Sequence, residues 1–150
     1  MRTRIPPPLV GVATAAAMAA LDAAAPGAAL SFPGQKALAG AVALAGLAVD
    51  LVSVGAFWRA KTTVTPLKPE KAKTLVVTGL YRYSRNPMYL GVLMILAGWA
   101  LWLGNPLNVV LLAGFVAFIT VFQIKPEEDA LREKFGADYE AYCKRVRRWI

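Results

Sequence analysis

Few residues in this chain are equipped for chemistry, and their types narrow what that chemistry can be. None of the 150 residues is histidine and only Cys143 is cysteine. Haem ligation by His, HExxH zinc sites, di-iron His boxes and every Ser-His or Cys-His dyad are therefore excluded. Disulfide frameworks and CxxC sites go with them. What remains is carboxylates, Arg, Lys, Tyr and Asn, or a bound cofactor. These gather in two places. The segment Tyr81-Arg82-Tyr83-Ser84-Arg85-Asn86-Pro87-Met88-Tyr89 opens an apolar run. Pro87 suits a first helical turn, so backbone N–H groups and the positive end of a helix dipole would face whatever binds there. Glu127 and Glu128 follow the next apolar run, and Arg145 and Arg147 lie in the tail. Taken alone, such residues read as flanking charge and an aromatic belt. Cys143 reads as a packing or surface residue, with only Lys144 and Arg145 nearby to lower a thiol pKa.

The elements that must position these groups belong to a membrane. The chain is 57% hydrophobic with a mean hydropathy of +0.49, against roughly 45–50% apolar residues in soluble domains. Four runs, residues 9–25, 38–58, 87–103 and 107–124, reach roughly 25–31 Å as helices, enough to bracket a bilayer core. The predicted fold is an all-α integral membrane protein, a single domain over residues 1–150 with four spans and an amphipathic tail from 125. Of 17 Lys and Arg, Lys36 alone falls on one side of these spans, so the positive-inside rule places both termini and the long central connection in the cytoplasm. The net charge of +8 is thus flanking charge, and no nucleic-acid partner is expected. Arg2 and Arg4 before an Ala-rich run also fit a signal peptide, though Pro26 disfavours cleavage near Ala23.

Gly104-Asn105-Pro106 is a tight turn, making the third and fourth runs a hairpin that returns both polar groups to one face. Gly11, Ala15, Ala19 and Ala23 form a small-residue stripe suited to close helix contact. The central connection carries Pro66, Pro69, the apolar patch Leu75-Val76-Val77 and Thr78-Gly79, and is too long and patterned for a plain linker. In the tail, Pro126 fits a helix start with Glu127, Glu128 and Asp129 in the first turn. Leu131, Phe135, Tyr139, Tyr142 and Val146 share one face. Gly136 is expected to break this helix, with Asp138 as a cap for the second half. Asp22, near the outer end of its run, is expected to reach headgroups. Asp50 lies deeper with Ser53 one turn on, as a structural partner or a site residue.

The order and spacing of Leu80 to Gly91, a hairpin, Glu127-Glu128, then Leu131, Phe135-Gly136, Tyr139, Tyr142 and Lys144-Arg145-Val146 resemble the isoprenylcysteine carboxyl methyltransferase and phospholipid methyltransferase family. The resemblance covers about 70 residues, from Gly79 to Arg148. It implies an integral membrane enzyme using S-adenosylmethionine, with tail helices closing the pocket on the cytoplasmic side. It places Arg85, Asn86, Pro87, Tyr89, Glu127 and Glu128 around the cofactor and Arg145 near the methyl-transfer centre; Leu90 and Tyr139 are further expected at the cofactor, and Tyr142 beside Arg145. Asn86 stands where eukaryotic members carry His, so a hydrogen-bonding role survives and a titrating one does not. Val146 is followed by Arg147-Arg148-Trp149-Ile150, without the Pro common in the family.

The residue types suit that ligand. Glu127 or Glu128 can accept from ribose hydroxyls, tyrosine faces can hold adenine or the sulfonium, and Asn86 with backbone N–H groups can hold the carboxylate. A carboxylate acceptor needs no general base and could be oriented by Arg145, whereas an amine or phenol needs a base, for which Glu or Tyr must serve. The expected acceptor is therefore lipophilic and presents a carboxylate, isoprenylcysteine-like, or a thiol. A phospholipid or other lipid N- or O-methyltransferase is the alternative, and a small transporter using Asp50 a further one. With no Gly-x-Gly-x-x-Gly run, the soluble dinucleotide-type fold has no support. Oligomeric state stays open.

Overall fold

The computed structural model describes residues 5–60 and 74–150. The expectations on Arg2, Arg4, Pro66 and Pro69 lie outside the described residues. Among those described there are helices and turns and no strand. Helix α1 spans Pro7–Ala24, α2 Gln35–Arg59, α3 Pro87–Leu103 and α4 Asn108–Ile119; α5 spans Lys125–Arg145. These bounds agree with the apolar runs to within a few residues because proline and glycine punctuate them. Pro7 and Pro87 sit in the first turns of α1 and α3. Gly104 ends α3 with φ 78°, a left-handed conformation that L side chains resist. The helix from Asn108 onward, with α1 and α2, is long and apolar enough to cross a membrane. The 17-residue α3 reaches about 26 Å and lies along α2.

Helix α2 starts three residues before its apolar run, because the Gln35 side chain knits it to its neighbour. Gln35 Oε1 accepts from the Phe32 N–H at 3.1 Å, and Nε2 donates to the Leu101 carbonyl at 2.6 Å. Backbones of α2 and α3 then approach closely. A Cβ on Gly46 would lie 2.6 Å from the Gly91 carbonyl oxygen, and one on Gly98 2.7 Å from that of Ala39. Lipid is as apolar as leucine, so such packing, rather than water exclusion, holds spans together. Helix α1 uses its small-residue stripe in the same way within the chain. Gly11 faces Val92 and the Ala15 carbonyl accepts from Trp99 Nε1 at 3.1 Å. Met18, Tyr89, Leu96, Phe115, Ile119 and Ile124 make the main core.

At the far end of the bundle, the α3–α4 turn is pinned rather than loose. Asn105 is buried; its Oδ1 accepts from the Leu107 N–H and its Nδ2 donates to the Ala25 carbonyl, while Leu30 N–H donates to Gly104. Asp22 and Asp50 each keep one carboxylate oxygen buried with no partner among the described residues. The expectation that Asp22 reaches out to headgroups therefore does not hold for that oxygen.

The tail departs from expectation at its start. Pro126 is not a helix beginning: α4 runs through a π-helical turn, Thr120–Ile124, straight into α5. A proline here lacks the N–H that would bond the carbonyl four residues back and its ring crowds that carbonyl; a widened turn absorbs the conflict without ending the helix. Gly136 does break the tail helix, with φ 48° and ψ −120°. Asp138 is exposed, and what ties the two halves is Arg132, which donates to Asp129 on its own side and to Glu140 at 2.8 Å across the kink. The apolar face is as expected. Tyr139, Tyr142 and Val146 form a second core with Leu131 and Phe135, and they cover Leu75 and Val77 of the central connection.

Candidate functional site

The polar groups singled out above meet where α3 begins. A 3₁₀ turn, Gly79–Arg82, leads in, opened by Gly79 at φ 62°. Tyr81 is buried, its ring edge-on to Phe57 of α2 at 5.4 Å, and its carbonyl accepts from Tyr142 Oη at 2.7 Å. Tyr142 thus fastens α5 to this turn. Buried Ser84 turns its hydroxyl to accept from the Asn86 N–H at 3.1 Å. Pro87 starts the helix, Leu90 N–H closes its first bond onto the Asn86 carbonyl at 3.1 Å, and the first-turn N–H groups have no intrahelical acceptor.

Arg85 and Glu128 form the centre of the arrangement. Glu128 is 3% exposed. It takes Arg85 Nη2 at 2.7 Å, and it takes the Arg148 fork through Nε at 3.0 Å and Nη2 at 2.8 Å, with Arg132 at 4.0 Å. Burial alone would push its carboxyl up, but the hydrogen bonds of Arg148 and Arg85 and their charges outweigh this and hold it below the ordinary carboxylate value. The same bonds raise Arg148. Arg85 also donates through Nη1 to the Cys143 and Val146 carbonyls at 3.3 Å each, a cation placed on the negative end of α5. Its Nε is buried without a partner among the described residues.

Glu127, one residue earlier, is differently placed. It is half-buried, and its Oε1 accepts from Tyr89 Oη at 2.8 Å. Burial first, then the charges of Tyr142, Glu127 and Asp50, pushes the Tyr81 phenol far above its usual value. Burial does the same to Tyr139 and Tyr142. Among the described residues no group of three acids or cysteines could hold a metal ion.

Of the residues the sequence points to, Arg85, Asn86, Pro87, Tyr89, Leu90, Glu127 and Glu128 come together at the α3 entrance, and Tyr139 and Tyr142 back it from α5. Tyr139 is buried in the second core beside Tyr142, ring centres 6.2 Å apart. Arg145 stands apart: it is exposed, with Nε on the Ala141 carbonyl of its own helix. The tail guanidinium that reaches the cluster is Arg148, which spacing does not distinguish from its basic neighbours at 144, 145 and 147. Trp149 is the other residue sequence reasoning passed over. It packs on the main core and donates to Thr120 Oγ1 at 3.2 Å.

A helical membrane bundle with carboxylates, guanidinium groups and tyrosines gathered at one helix entrance defines the class. Residues 35–138 match the family described as phospholipid methyltransferase, and the chain belongs to that family. Over 63 residues, 42% of this chain and 100% of the other, it is 48% identical to an uncharacterized protein of Haemophilus influenzae. It is 37% identical over 86 residues to the protein-S-isoprenylcysteine O-methyltransferase of Saccharomyces cerevisiae, covering 55% of this chain and 35% of that one. With the corresponding enzyme B of Arabidopsis thaliana it shares 32% over 88 residues, 59% of this chain and 45% of the other. The matches thus span less than half the length of these two methyltransferases. No solved structure matches the chain.

Proposed function

We propose that this chain transfers a methyl group from S-adenosylmethionine to a lipophilic acceptor at the cytoplasmic membrane face, the acceptor presenting an isoprenylcysteine-like carboxylate or a thiol. The observation that carries this reading is the pair of neighbouring acids in a methyltransferase-family chain. Glu128 is held by guanidinium groups, and Glu127, half-buried, accepts from Tyr89 beside the start of α3. The residues suit the cofactor, since Glu127 can accept from sugar hydroxyls, the first-turn N–H groups of α3 can meet a carboxylate, and Arg85 Nε is a buried donor with no partner among the described residues. When bound, the cofactor supplies a sulfonium methyl for in-line displacement. Exposed Arg145, tied only to its own helix, has the planar fork that orients a carboxylate.

The tyrosines support an acceptor that needs no deprotonation. Tyr81, Tyr139 and Tyr142 are all pushed above the ordinary phenol value by burial, so they stay protonated at neutral pH and serve poorly as bases. The yeast and Arabidopsis relatives methylate oxygen according to their names. The family description favours a second reading, a phospholipid amine, for which Glu127 would have to serve as base. Membranes containing the protein, incubated with methyl-labelled S-adenosylmethionine, decide between them. Label in the lipid fraction that mild alkali releases as methanol marks an ester; alkali-stable label marks a thioether or an amine, which the mass and head group of the labelled product tell apart. No label in any lipid or protein fraction, from folded protein that also fails to bind S-adenosylhomocysteine, sinks the proposal.

A further inference from the structure

After α5 the chain does not trail away. Val146 adopts extended angles, φ −127° and ψ 131°, and residues 146–150 fold back across the entrance of α3. Arg85 N–H donates to the Arg147 carbonyl at 3.0 Å, and Asn86 Nδ2 donates to that of Arg148 at 2.9 Å. The Arg148 side chain reaches Glu128 with its fork, and Trp149 plugs into the membrane core and bonds Thr120 in the π turn. Four attachments in three consecutive positions, 147 to 149, counting backbone and side chain, make this a strap.

Asn86 gives up an ordinary role to join it. Asparagine at the N-terminal boundary of a helix commonly caps the first turn with its side-chain oxygen, yet Asn86 makes no such bond in α3. Its amide nitrogen goes to Arg148 instead, and because a carbonyl can only accept, that bond fixes which way the amide faces. Arg148 therefore holds both ends of the site at once, Asn86 through its backbone and Glu128 through its guanidinium.

Building on the proposed cofactor site, we propose that residues 146–150 form a strap that sets the α3 entrance in its binding form, with Arg148 as the positioning residue. Glu128 is faced by Arg85 from the α3 lead-in, by Arg132 and Tyr139 from α5, and by Arg148 from the strap. Its folded value is depressed, so the ionised hub is complete at neutral pH and is lost as pH falls through that depressed value. Removing Arg148 leaves the burial penalty less opposed and moves this loss to higher pH.

The test is calorimetric titration of S-adenosylhomocysteine into the detergent-purified full chain from pH 8 down to about pH 3, below the ordinary carboxylate value, for wild type, Arg148→Ala and Arg148→Lys. Binding at pH 7 should weaken at least tenfold in Arg148→Ala, with the acid limb displaced upward. Arg148→Lys should fall between, having the charge without the fork. Affinity within twofold of wild type and an unmoved acid limb would overturn the assignment; if Arg148→Ala is not monodisperse, Arg148→Lys is held to the same criterion. Should wild type bind nothing, the cofactor reading fails instead, and the strap is judged by hydrogen exchange. Exchange at the Arg85 amide should then rise at least tenfold in Arg148→Lys, and unchanged protection would refute it.

Discussion

Replacing each of the two neighbouring acids by its amide separates architecture from ligand binding. Glu128→Gln keeps the shape but removes the negative charge that three close guanidinium contacts converge on, at 2.7, 2.8 and 3.0 Å. Arg85, only 11% exposed in its side chain, is then a cation without its counter-ion. Breaking a buried pair from one side costs about 3–5 kcal/mol, which at about 2–4 °C per kcal/mol for chains of this size is a fall of roughly 6–20 °C in midpoint. Glu127→Gln keeps an acceptor for Tyr89 Oη and loses the charge assistance of that bond at a half-buried position, a change of about 0.5–1.5 kcal/mol for the bond itself, yet on the proposed reading it weakens the ribose acceptor. The assay is thermal unfolding in one detergent, beside titration with S-adenosylhomocysteine. Glu128→Gln should be destabilised, and Glu127→Gln should keep its midpoint within a few degrees while losing most of its affinity. An unchanged midpoint in Glu128→Gln, or a Glu127→Gln that is destabilised as much, would refute the division of labour.

Two further outcomes follow from the packing and the tail. Gly98→Ala forces a methyl to within 2.7 Å of the Ala39 carbonyl, and overpacking against backbone should cost about 1–3 kcal/mol; Gly114→Ala meets nothing within 4 Å and should gain about 0.5–1 kcal/mol in helix stability, so equal midpoints for the two would contradict the close α2–α3 contact. Arg145→Ala touches no packing and should leave stability within about 0.5 kcal/mol and S-adenosylhomocysteine affinity unchanged, while lowering the rate of methyl transfer; an unaltered rate removes Arg145 from the reaction.

Much of this architecture was legible in the sequence because membrane spans are written in long apolar runs with proline and glycine at their ends, as at Pro87 and Gly104. The tail's buried face was legible from the spacing of Leu131, Phe135, Tyr139, Tyr142 and Val146, since a helix has one period to obey. The π turn was not. Pro126 carries the same local signal whether it begins a helix or sits inside one, and only continuity of the chain from Ile119 onward decides. Nor could Arg148 be told from Arg145 or Arg147, because which guanidinium reaches Glu128 depends on where the backbone turns at Val146. The unequal fates of Glu127 and Glu128 were hidden for a related reason: adjacent helical positions point about 100° apart, and the sequence does not say which direction is inward.

The glycine contacts between α2 and α3 also bear on how the protein meets its bilayer. Spans of 25 and 17 residues held backbone to backbone cannot tilt separately to suit the surrounding lipid. A thicker or thinner membrane must therefore be met by moving the pair as one rigid plate or by deforming the lipid around it. Either adjustment changes the height of the α3 entrance relative to the headgroup layer. Bilayer thickness thereby becomes a physical variable in where the polar cluster at the α3 entrance stands relative to the headgroups.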